Sequence, residues 1–142
     1  MIRAVLDTNT LVSAVINTPF SVSQEVYQNF INRKFVLIIS PLILEELDEV
    51  IHRKSVTKFH KRPDKELQEV IKDLTNMSYL VPGVTKIEVV RDSDDNMIVA
   101  AAIEGKADYI ISRDGDLLDL KSYRGIKIIT PEEFMGILRL SK

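Results

Sequence analysis

Acidic residues cluster at four places where a hydrophobic segment of the chain ends. The clusters are Asp7, Glu45-Glu46, Asp92 with Asp94-Asp95, and Asp114 with Asp116. Carboxylates just beyond the carboxyl ends of neighbouring parallel strands meet in the crevice where open α/β sheets bind ligands. Several carboxylates in one crevice raise each other's pKa, and Mg²⁺ and Mn²⁺ are hard cations that take oxygen ligands. The clusters therefore predict a metal-dependent enzyme that acts on phosphate.

Each acidic motif on its own also has a structural explanation. An Asp at a strand end, such as Asp7, is usually a helix N-cap, and an acidic run suits the positive end of a helix dipole. The segment Asp92–Asn96 looks like a calcium loop, but Met97 occupies its glycine position and Ile103 its bidentate glutamate position, which excludes an EF-hand. Residues 7–9 read Asp-x-Asn and lack the second Asp of dehalogenase-type phosphatases, which disfavours a phosphoaspartyl mechanism.

Register selects one acid in the second cluster. The helix after Ser40-Pro41 is predicted to bury a face formed by Leu42, Ile43, Leu47, Val50 and Ile51. Glu46 lies beside that face and can point toward the sheet edge, whereas Glu45 and Glu49 lie four residues apart on a solvated face. Glu46 is therefore the candidate site residue of this cluster.

Small residues favour Asp95 in the third cluster. Asp95 leads into the segment 97–102, whose alanines allow a helix to pack close to the sheet and bring Asp95 to the strand ends.

In the fourth cluster Gly115 permits a tight turn, and Asp114 or Asp116 could each cap the helix that follows. The choice between those two stays open.

The apolar pattern predicts one α/β domain, residues 1–142, built as a three-layer α/β/α sandwich around a central, mainly parallel sheet. Short, nearly continuous β-branched runs are typical of strands covered on both faces. They are Ile2–Leu6, Phe35–Ile39, Asp108–Ile111 and Lys127–Ile129, with a weaker strand expected before the third acidic cluster. Helices are predicted at Val22–Arg33, Leu42–Ile51 and Asp64–Met77. A further helix is predicted to begin near Asp94 and to end at Gly105, which would be its C′ glycine. The last helix is predicted to follow the capping box Thr130-Pro131-Glu132-Glu133.

The composition is that of an ordinary globular protein. The chain has 142 residues, 45% of them hydrophobic and 28% charged, which is enough to bury a substantial core. The absence of cysteine excludes disulfides and thiolate metal sites. No signal peptide is read, and no apolar run approaches the ~18 residues of a membrane-spanning helix. A cytoplasmic protein without a membrane partner is therefore expected.

The net charge of −2 conceals a basic segment between residues 53 and 62. Its cations, with no acid among them, are Arg53, Lys54, Lys58, Lys61 and Arg62. An acidic site beside a basic lobe suits a polyanion that is bound through its backbone near a metal centre, as a nucleic acid would be. The alternative is a solvated connector between two helices.

In their order and context the four acidic motifs resemble those of the PIN domain, the nuclease fold related to flap endonucleases. The resemblance extends from Val5-Leu6-Asp7-Thr8-Asn9 to the final Ile128–Phe134, and it is strongest for the VapC-like toxins of bacterial and archaeal toxin–antitoxin pairs. It implies that the catalytic, metal-binding acids are Asp7, Glu46, Asp95 and Asp114. It also implies that Asp116 is an auxiliary metal ligand and that Asn9 and Ser112 orient the acids.

The function that this resemblance implies is a Mg²⁺- or Mn²⁺-dependent endoribonuclease that cleaves single-stranded RNA, as the toxin of a toxin–antitoxin pair. Its partners would be RNA, bound by the basic segment, and an antitoxin protein; a homodimer is a candidate assembly. Metal-directed attack by water makes no use of the 2′-hydroxyl, so single-stranded DNA stays an alternative substrate. A competing interpretation is a catalytically silent module of the same fold that binds RNA or a protein.

Overall fold

The computed structural model of this protein describes residues 1–16, 21–57 and 62–141. In these ranges the strands are β1 (Arg3–Leu6), β2 (Val36–Ile39), β3 (Tyr79–Leu80), β4 (Tyr109–Ile111), β5 (Ser122–Tyr123) and β6 (Ile126–Ile129). The helices are α1 (Thr8–Val15), α2 (Val22–Ile31), α3 (Pro41–Ile51), α4 (Lys54–Thr57), α5 (Asp64–Met77), α6 (Ser93–Glu104), α7 (Gly115–Leu120) and α8 (Pro131–Leu140).

The strands form one sheet in the spatial order β3-β2-β1-β4-β6-β5. Adjacent strands in the series β3-β2-β1-β4-β6 run parallel to each other. The edge strand β5 pairs antiparallel with β6. From β1 the chain moves outward through β2 to β3, and it then returns to the other side of β1 to form β4. The direction of winding therefore changes between β1 and β4, where the ligand crevice of an open α/β sheet lies.

Helices cover both faces at the centre of the sheet. Consecutive strand residues point to opposite faces, and the consecutive residues Ala4–Leu6 of β1 and Leu37–Ile39 of β2 are all buried. Helix α6 packs against β1, β2 and β4, while α2 packs against α1 and α8. The predicted α/β/α sandwich with a mainly parallel sheet is confirmed. No helix within the described ranges is long and apolar enough to cross a bilayer.

The predicted starts of α3 and α8 are confirmed by their caps. Ser40 Oγ accepts the Ile43 N–H at 3.3 Å, and Pro41 occupies the first helical position. At the start of α8, Thr130 Oγ1 accepts the Glu133 N–H and Glu133 Oε1 accepts the Thr130 N–H, both at 3.2 Å. These bonds satisfy backbone groups that a helix start otherwise leaves open.

Gly105 ends α6 as predicted, but it is the C-cap of the helix and not the C′ residue. Its φ is −87°, and the positive φ of 53° belongs to the next residue, Lys106. A Cβ at Gly105 would lie 2.6 Å from the Ile38 side chain. The glycine is therefore required for the close approach of α6 to β2.

Two short elements, α4 and β5, were not predicted, and one core residue was predicted wrongly. The β5–β6 hairpin turns at Arg124 and Gly125, whose φ angles of 50° and 82° are those of a two-residue hairpin turn. Because the usual Asn-Gly signal is absent, this turn is hard to recognise in the sequence.

Leu42 is 49% exposed, since it lies off the stripe of Ile43 and Leu47, which are buried as predicted.

Candidate active site

Asp7 lies where β1 ends and α1 begins. Its N–H donates to the Ile111 carbonyl at 3.0 Å, which extends the pairing of β1 with β4 to the carboxyl edge of the sheet. Its Oδ1 accepts the Thr10 N–H at 2.9 Å, so Asp7 is the N-cap of α1. The residue is buried. Strand pairing and helix cap together fix this carboxylate at the point where the winding direction changes.

Ser112 connects Asp7 to the loop after β4. Its buried hydroxyl donates to Asp7 Oδ2 at 2.5 Å and accepts the Asp114 N–H at 2.9 Å. The Ser112 N–H donates to the Ile129 carbonyl at 2.9 Å, which anchors its backbone to β6. The Ser112 hydroxyl thus lies between two of the candidate acids, and its orienting role stays a prediction.

Asp95 and Asp114 approach each other at the same edge. Asp95 is buried in the first turn of α6, and Asp114 caps α7 by accepting the Asp116 N–H at 2.9 Å. One carboxylate oxygen from each of Asp95, Asp114 and Asp116 lies within 4.8 Å of the other two. Asp114 and Asp116 are thus both close to Asp95, although Asp114 lines the cleft and Asp116 lies at its rim.

The buried position of Asp95 favours a cation beside it. Burial is the largest cause that raises the pKa of Asp95 to about 7, followed by the Asp114 carboxyl and then by Asp92 and Asp7. Asp95 Oδ2 is buried with no hydrogen-bond partner among the described residues. An unsatisfied buried polar atom costs about 1–3 kcal/mol. A hard divalent cation would supply both the missing contact and the compensating charge, so these residues fit Mg²⁺ or Mn²⁺.

Glu46 reaches the cleft from α3, whereas Glu45 is exposed. Glu46 Oε2 accepts the Thr8 hydroxyl at 3.3 Å. Burial, and secondly the nearby Asp94 carboxylate, raise the pKa of Glu46 above its usual range, while the bond from Thr8 acts in the opposite direction. The choice of Glu46 over Glu45, made from the sequence pattern, therefore agrees with the geometry.

A cleft of 190 Å³ contains all four predicted catalytic acids. Its lining residues are Asp7, Thr8, Asn9, Glu46, Asp92, Asp94, Asp95, Ile98 and Asp114. Larger cavities exist, such as one of 490 Å³ beside Met1 and Leu138. We identify the acid cleft as the candidate active site because it lies at the winding switch between β1 and β4.

Sequence reasoning did not assign four of the cleft residues to the site, which are Thr8, Asp92, Asp94 and Ile98, and it gave Asn9 a role in orienting the acids. Asn9 lines the cleft, but within the described ranges its side chain makes no hydrogen bond to the acids. The bond to Glu46 comes instead from Thr8, a residue of the first turn of α1. Asp94 was set aside in favour of Asp95, yet it also lines the cleft. The sequence signal for Thr8 was its position directly after Asp7, where β1 ends and α1 begins.

The basic segment is only partly described. Lys58 and Lys61 lie outside the described residues. Arg62 donates to the Val15 carbonyl and pairs with Glu66 at 3.3 Å, so it has contacts within the protein. Lys54, the first residue of α4, is exposed. An RNA-binding role for these residues stays a prediction.

Arg53 is the member of the basic segment that the structure relates to the acid cleft. It pairs with Glu49 at 2.8 Å. The pKa of Arg53 is raised above its usual value first by the hydrogen bond to Glu49, with smaller contributions from Glu46 and Asp94. Those two acids line the cleft, and Arg53 follows the end of α3, the helix that carries Glu46.

Comparison with known proteins places this arrangement in a family. A family model described as PIN domain matches residues 3–116. The uncharacterized protein MJ1680 of Methanocaldococcus jannaschii is 30% identical, over 94% of this chain and 90% of that protein. The crystal structure of VapBC2 from Rickettsia felis, bound to a DNA fragment from their promoter, contains a chain with a TM-score of 0.56 and 15% identity. That match covers 89% of this chain and 97% of the other, and at this identity it shows a shared fold. The chain belongs to the PIN domain family, whose members are generally nucleases.

Proposed function

We propose that this protein is a metal-dependent endoribonuclease that hydrolyses phosphodiester bonds in single-stranded RNA. The observation that carries the proposal is the buried Asp95 Oδ2, which lacks a hydrogen-bond partner in the described part of the chain and belongs to a carboxylate that lies close to Asp114 and Asp116. Buried polar atoms normally have partners. An unpartnered carboxylate oxygen in an acid-lined cleft is therefore better explained by a cation than by a structural role.

Asp7, Asp95 and Asp114 would hold the Mg²⁺ or Mn²⁺ ion, with Asp116 as an auxiliary ligand. When bound, such an ion stabilises negative charge on the phosphate and makes water a stronger nucleophile. Ser112 donates to Asp7 Oδ2 and Thr10 donates to Asp7 Oδ1, so both oxygens have fixed directions. The remaining lone pairs of Asp7 are available toward the cleft.

Glu46 is suited to accept a proton from the attacking water. Its pKa is raised by burial and by Asp94, and a carboxylate whose pKa moves toward neutral pH is a stronger base. The Thr8 hydroxyl contacts Glu46 Oε2 and keeps the side chain on the cleft wall. We assign Glu46 the role of general base.

Single-stranded RNA is the proposed substrate because an unpaired strand can bend one phosphodiester into a cleft of 190 Å³. A stacked duplex would have to distort to do so. Since none of the assigned steps uses the 2′-hydroxyl, single-stranded DNA is the second substrate to test.

We also propose that the protein acts in the cytoplasm as the toxin of a toxin–antitoxin pair. The support is the resemblance of its acidic motifs to those of VapC-like toxins, together with the fold shared with a chain of the Rickettsia felis VapBC2 structure. Expression should arrest growth, and co-expression of an adjacent antitoxin gene should relieve the arrest. An Asp95→Asn variant should be harmless at the same expression level.

The decisive experiment incubates pure protein with single- and double-stranded RNA and DNA in Mg²⁺, Mn²⁺ or EDTA. We expect cleavage of single-stranded RNA in either metal and none in EDTA. The Asp95→Asn protein, prepared in parallel, should be inactive and should have a native circular dichroism spectrum. Cleavage that persists in EDTA, or in the Asp95→Asn protein, would refute the proposed metal chemistry.

A second candidate function is a catalytically silent module that binds RNA or a protein. The exposed Lys54 and the Arg53 beside the cleft favour it, because they could attract a polyanion without any chemistry. This module would bind RNA equally well in EDTA and in Mn²⁺ and would leave the RNA intact in both.

A further inference from the structure

The acid cleft would repel the substrate that the proposed function assigns to it. Six of its lining residues are Asp or Glu, and an RNA strand carries a negative charge on every phosphate. A bound divalent cation offsets only part of that repulsion. Cationic side chains at the rim are therefore needed to attract the phosphates that flank the reacting one.

Arg91 provides such a cation on the α7 side of the cleft. Its Nη2 lies 3.4 Å from both carboxylate oxygens of Asp116. Asp116 in turn lies within 4.8 Å of Asp95 and Asp114 through its nearest oxygen. The Arg91 side chain is 89% exposed, and an ion pair this exposed contributes little to stability. The guanidinium is therefore at the rim of the acid cluster and accessible to a ligand.

The backbone that carries Arg91 is fixed on both sides. Asn96 Oδ1 accepts the N–H groups of Val89 and Val90, at 3.0 and 2.9 Å, and its Nδ2 donates to the Val90 carbonyl at 2.7 Å. On the other side, Asp92 caps α6 by accepting the Asp94 N–H at 2.9 Å. A long exposed side chain thus starts from an immobilised backbone, which lowers the entropy cost of placing its head group.

Other arginines in the neighbourhood are directed elsewhere. Arg113 follows Ser112 directly but forms a two-pronged pair with Glu132. Arg53 is paired with Glu49 at 2.8 Å. Of these three arginines, Arg91 is the one that the structure pairs with a member of the acid cluster.

We propose that Arg91 is a substrate-binding residue, which contacts a phosphate of the RNA on the α7 side of the cleft, and that Asn96 positions it. This inference rests on the proposed nuclease function. Arginine suits the role because its planar guanidinium donates two hydrogen bonds to one phosphate. On phosphate binding, the long pair with Asp116 is exchanged for a contact with the substrate.

The first test measures the affinity for a fluorescently labelled single-stranded RNA in EDTA, where cleavage is absent, over a range of salt concentrations. Arg91→Ala should lower the slope of log affinity against log salt by about 0.7, the value for one lost single-strand phosphate contact. Arg91→Lys should keep the slope and bind more weakly. Arg124→Ala is the matched control, because Arg124 is exposed in the β5–β6 turn at the opposite edge of the sheet.

A second measurement separates phosphate binding from the pair with Asp116. In an Asp116→Asn background, Arg91→Ala should still lower the salt slope by the same amount. Asn96→Ala should lower the slope of the otherwise wild-type protein and have no further effect once Arg91 is Ala. In Mn²⁺, Arg91→Ala should raise KM and leave kcat near the wild-type value, since the contact is the same in the ground and transition states.

The outcomes distinguish this inference from the function on which it rests. If the wild type binds and cleaves RNA but Arg91→Ala has the salt slope of Arg124→Ala, the inference is wrong and the nuclease proposal stands. An Arg91→Ala effect that disappears in the Asp116→Asn background would also overturn it, since Arg91 would then act through Asp116. A wild type that neither binds nor cleaves RNA would refute the proposed function itself.

Discussion

The Ser112 hydroxyl donates a buried hydrogen bond of 2.5 Å to Oδ2 of Asp7, a residue 105 positions earlier in the chain. This bond joins the carboxyl ends of β1 and β4 at the winding switch of the sheet. The same hydroxyl accepts the Asp114 N–H. One small side chain therefore sets the relative positions of two candidate metal ligands.

Replacing Ser112 by Ala should weaken both the fold and the site. The change leaves Asp7 Oδ2 and the Asp114 N–H without their partner, which should lower the free energy of unfolding by about 1–3 kcal/mol. Loss of a residue that orients a ligand commonly lowers metal affinity or activity by about 10–100-fold. Urea denaturation and a Mn²⁺ titration of the cleavage rate would measure the two effects.

Ser78→Ala is the matched control for that change. Ser78 Oγ is also buried, but it has no hydrogen-bond partner among the residues described. Its removal should leave the Mn²⁺ dependence unchanged and should not lower the stability, because an unsatisfied buried hydroxyl itself costs free energy. Equal behaviour of the two variants would contradict the orienting role of Ser112.

Neighbouring glutamates on α3 allow a direct test of the general base. Glu46→Gln keeps the shape of the side chain but cannot accept a proton, so the single-turnover rate in Mn²⁺ should fall by about 10²-fold or more. Glu45→Gln makes the same chemical change on an exposed residue and should cleave at the wild-type rate. A Glu46→Gln protein as fast as Glu45→Gln would exclude Glu46 as the base.

Much of this site follows from local sequence patterns. The apolar stripe of α3 distinguished Glu46 from Glu45, and the alanines of α6 placed Asp95 near the strand ends, where it is buried. Ser40 and Thr130 marked helix starts correctly because capping bonds span only three residues. Such signals are contained within one turn of chain and can be read without the tertiary structure.

Contacts between distant elements could not be read in that way. The pair of Arg91 with Asp116 depends on how the loop before α6 approaches α7. That loop is held by Asn96 and, further back, by Glu104, whose carboxylate accepts the Gly83 N–H at 2.7 Å. Gly105 was misassigned for the same reason, since Ile38 of another strand explains its presence.

The chemistry of the cleavage products tests the proposed route of attack. Water directed at phosphorus should leave 5′-phosphate and 3′-hydroxyl ends, because the assigned residues do not activate the 2′-oxygen. Mass spectrometry of a short RNA after cleavage would identify the ends, and the same oligonucleotide with a 2′-methoxy group at the cleaved position should still be cut. Products with 2′,3′-cyclic phosphate would rule this route out.

Asp95 should make the metal-free protein less stable as the pH rises. Its pKa is about 7 in the folded protein, against 3.8 as the usual value, so between about pH 4 and pH 7 the folded state retains a proton that the unfolded state has lost. The free energy of unfolding therefore decreases as the pH rises through that range, by about 1.4 kcal/mol for each pKa unit. Asp95→Asn carries no charge at any pH. In EDTA the variant should be more stable than the wild type at about pH 8 and equally stable near pH 4, as measured by urea denaturation.

Bound metal should reverse the order of stability of the wild type and the Asp95→Asn variant. A cation that binds only the folded wild type stabilises it by mass action, so Mn²⁺ at about pH 8 should raise the melting temperature of the wild type and have less effect on Asp95→Asn. Asp119→Asn makes the same change on an exposed residue of α7 and should follow the wild type in both conditions. If Asp95 served only the start of α6, Asp95→Asn would be less stable than the wild type at every pH and Mn²⁺ would change neither melting temperature. That result would remove Asp95 from the metal site.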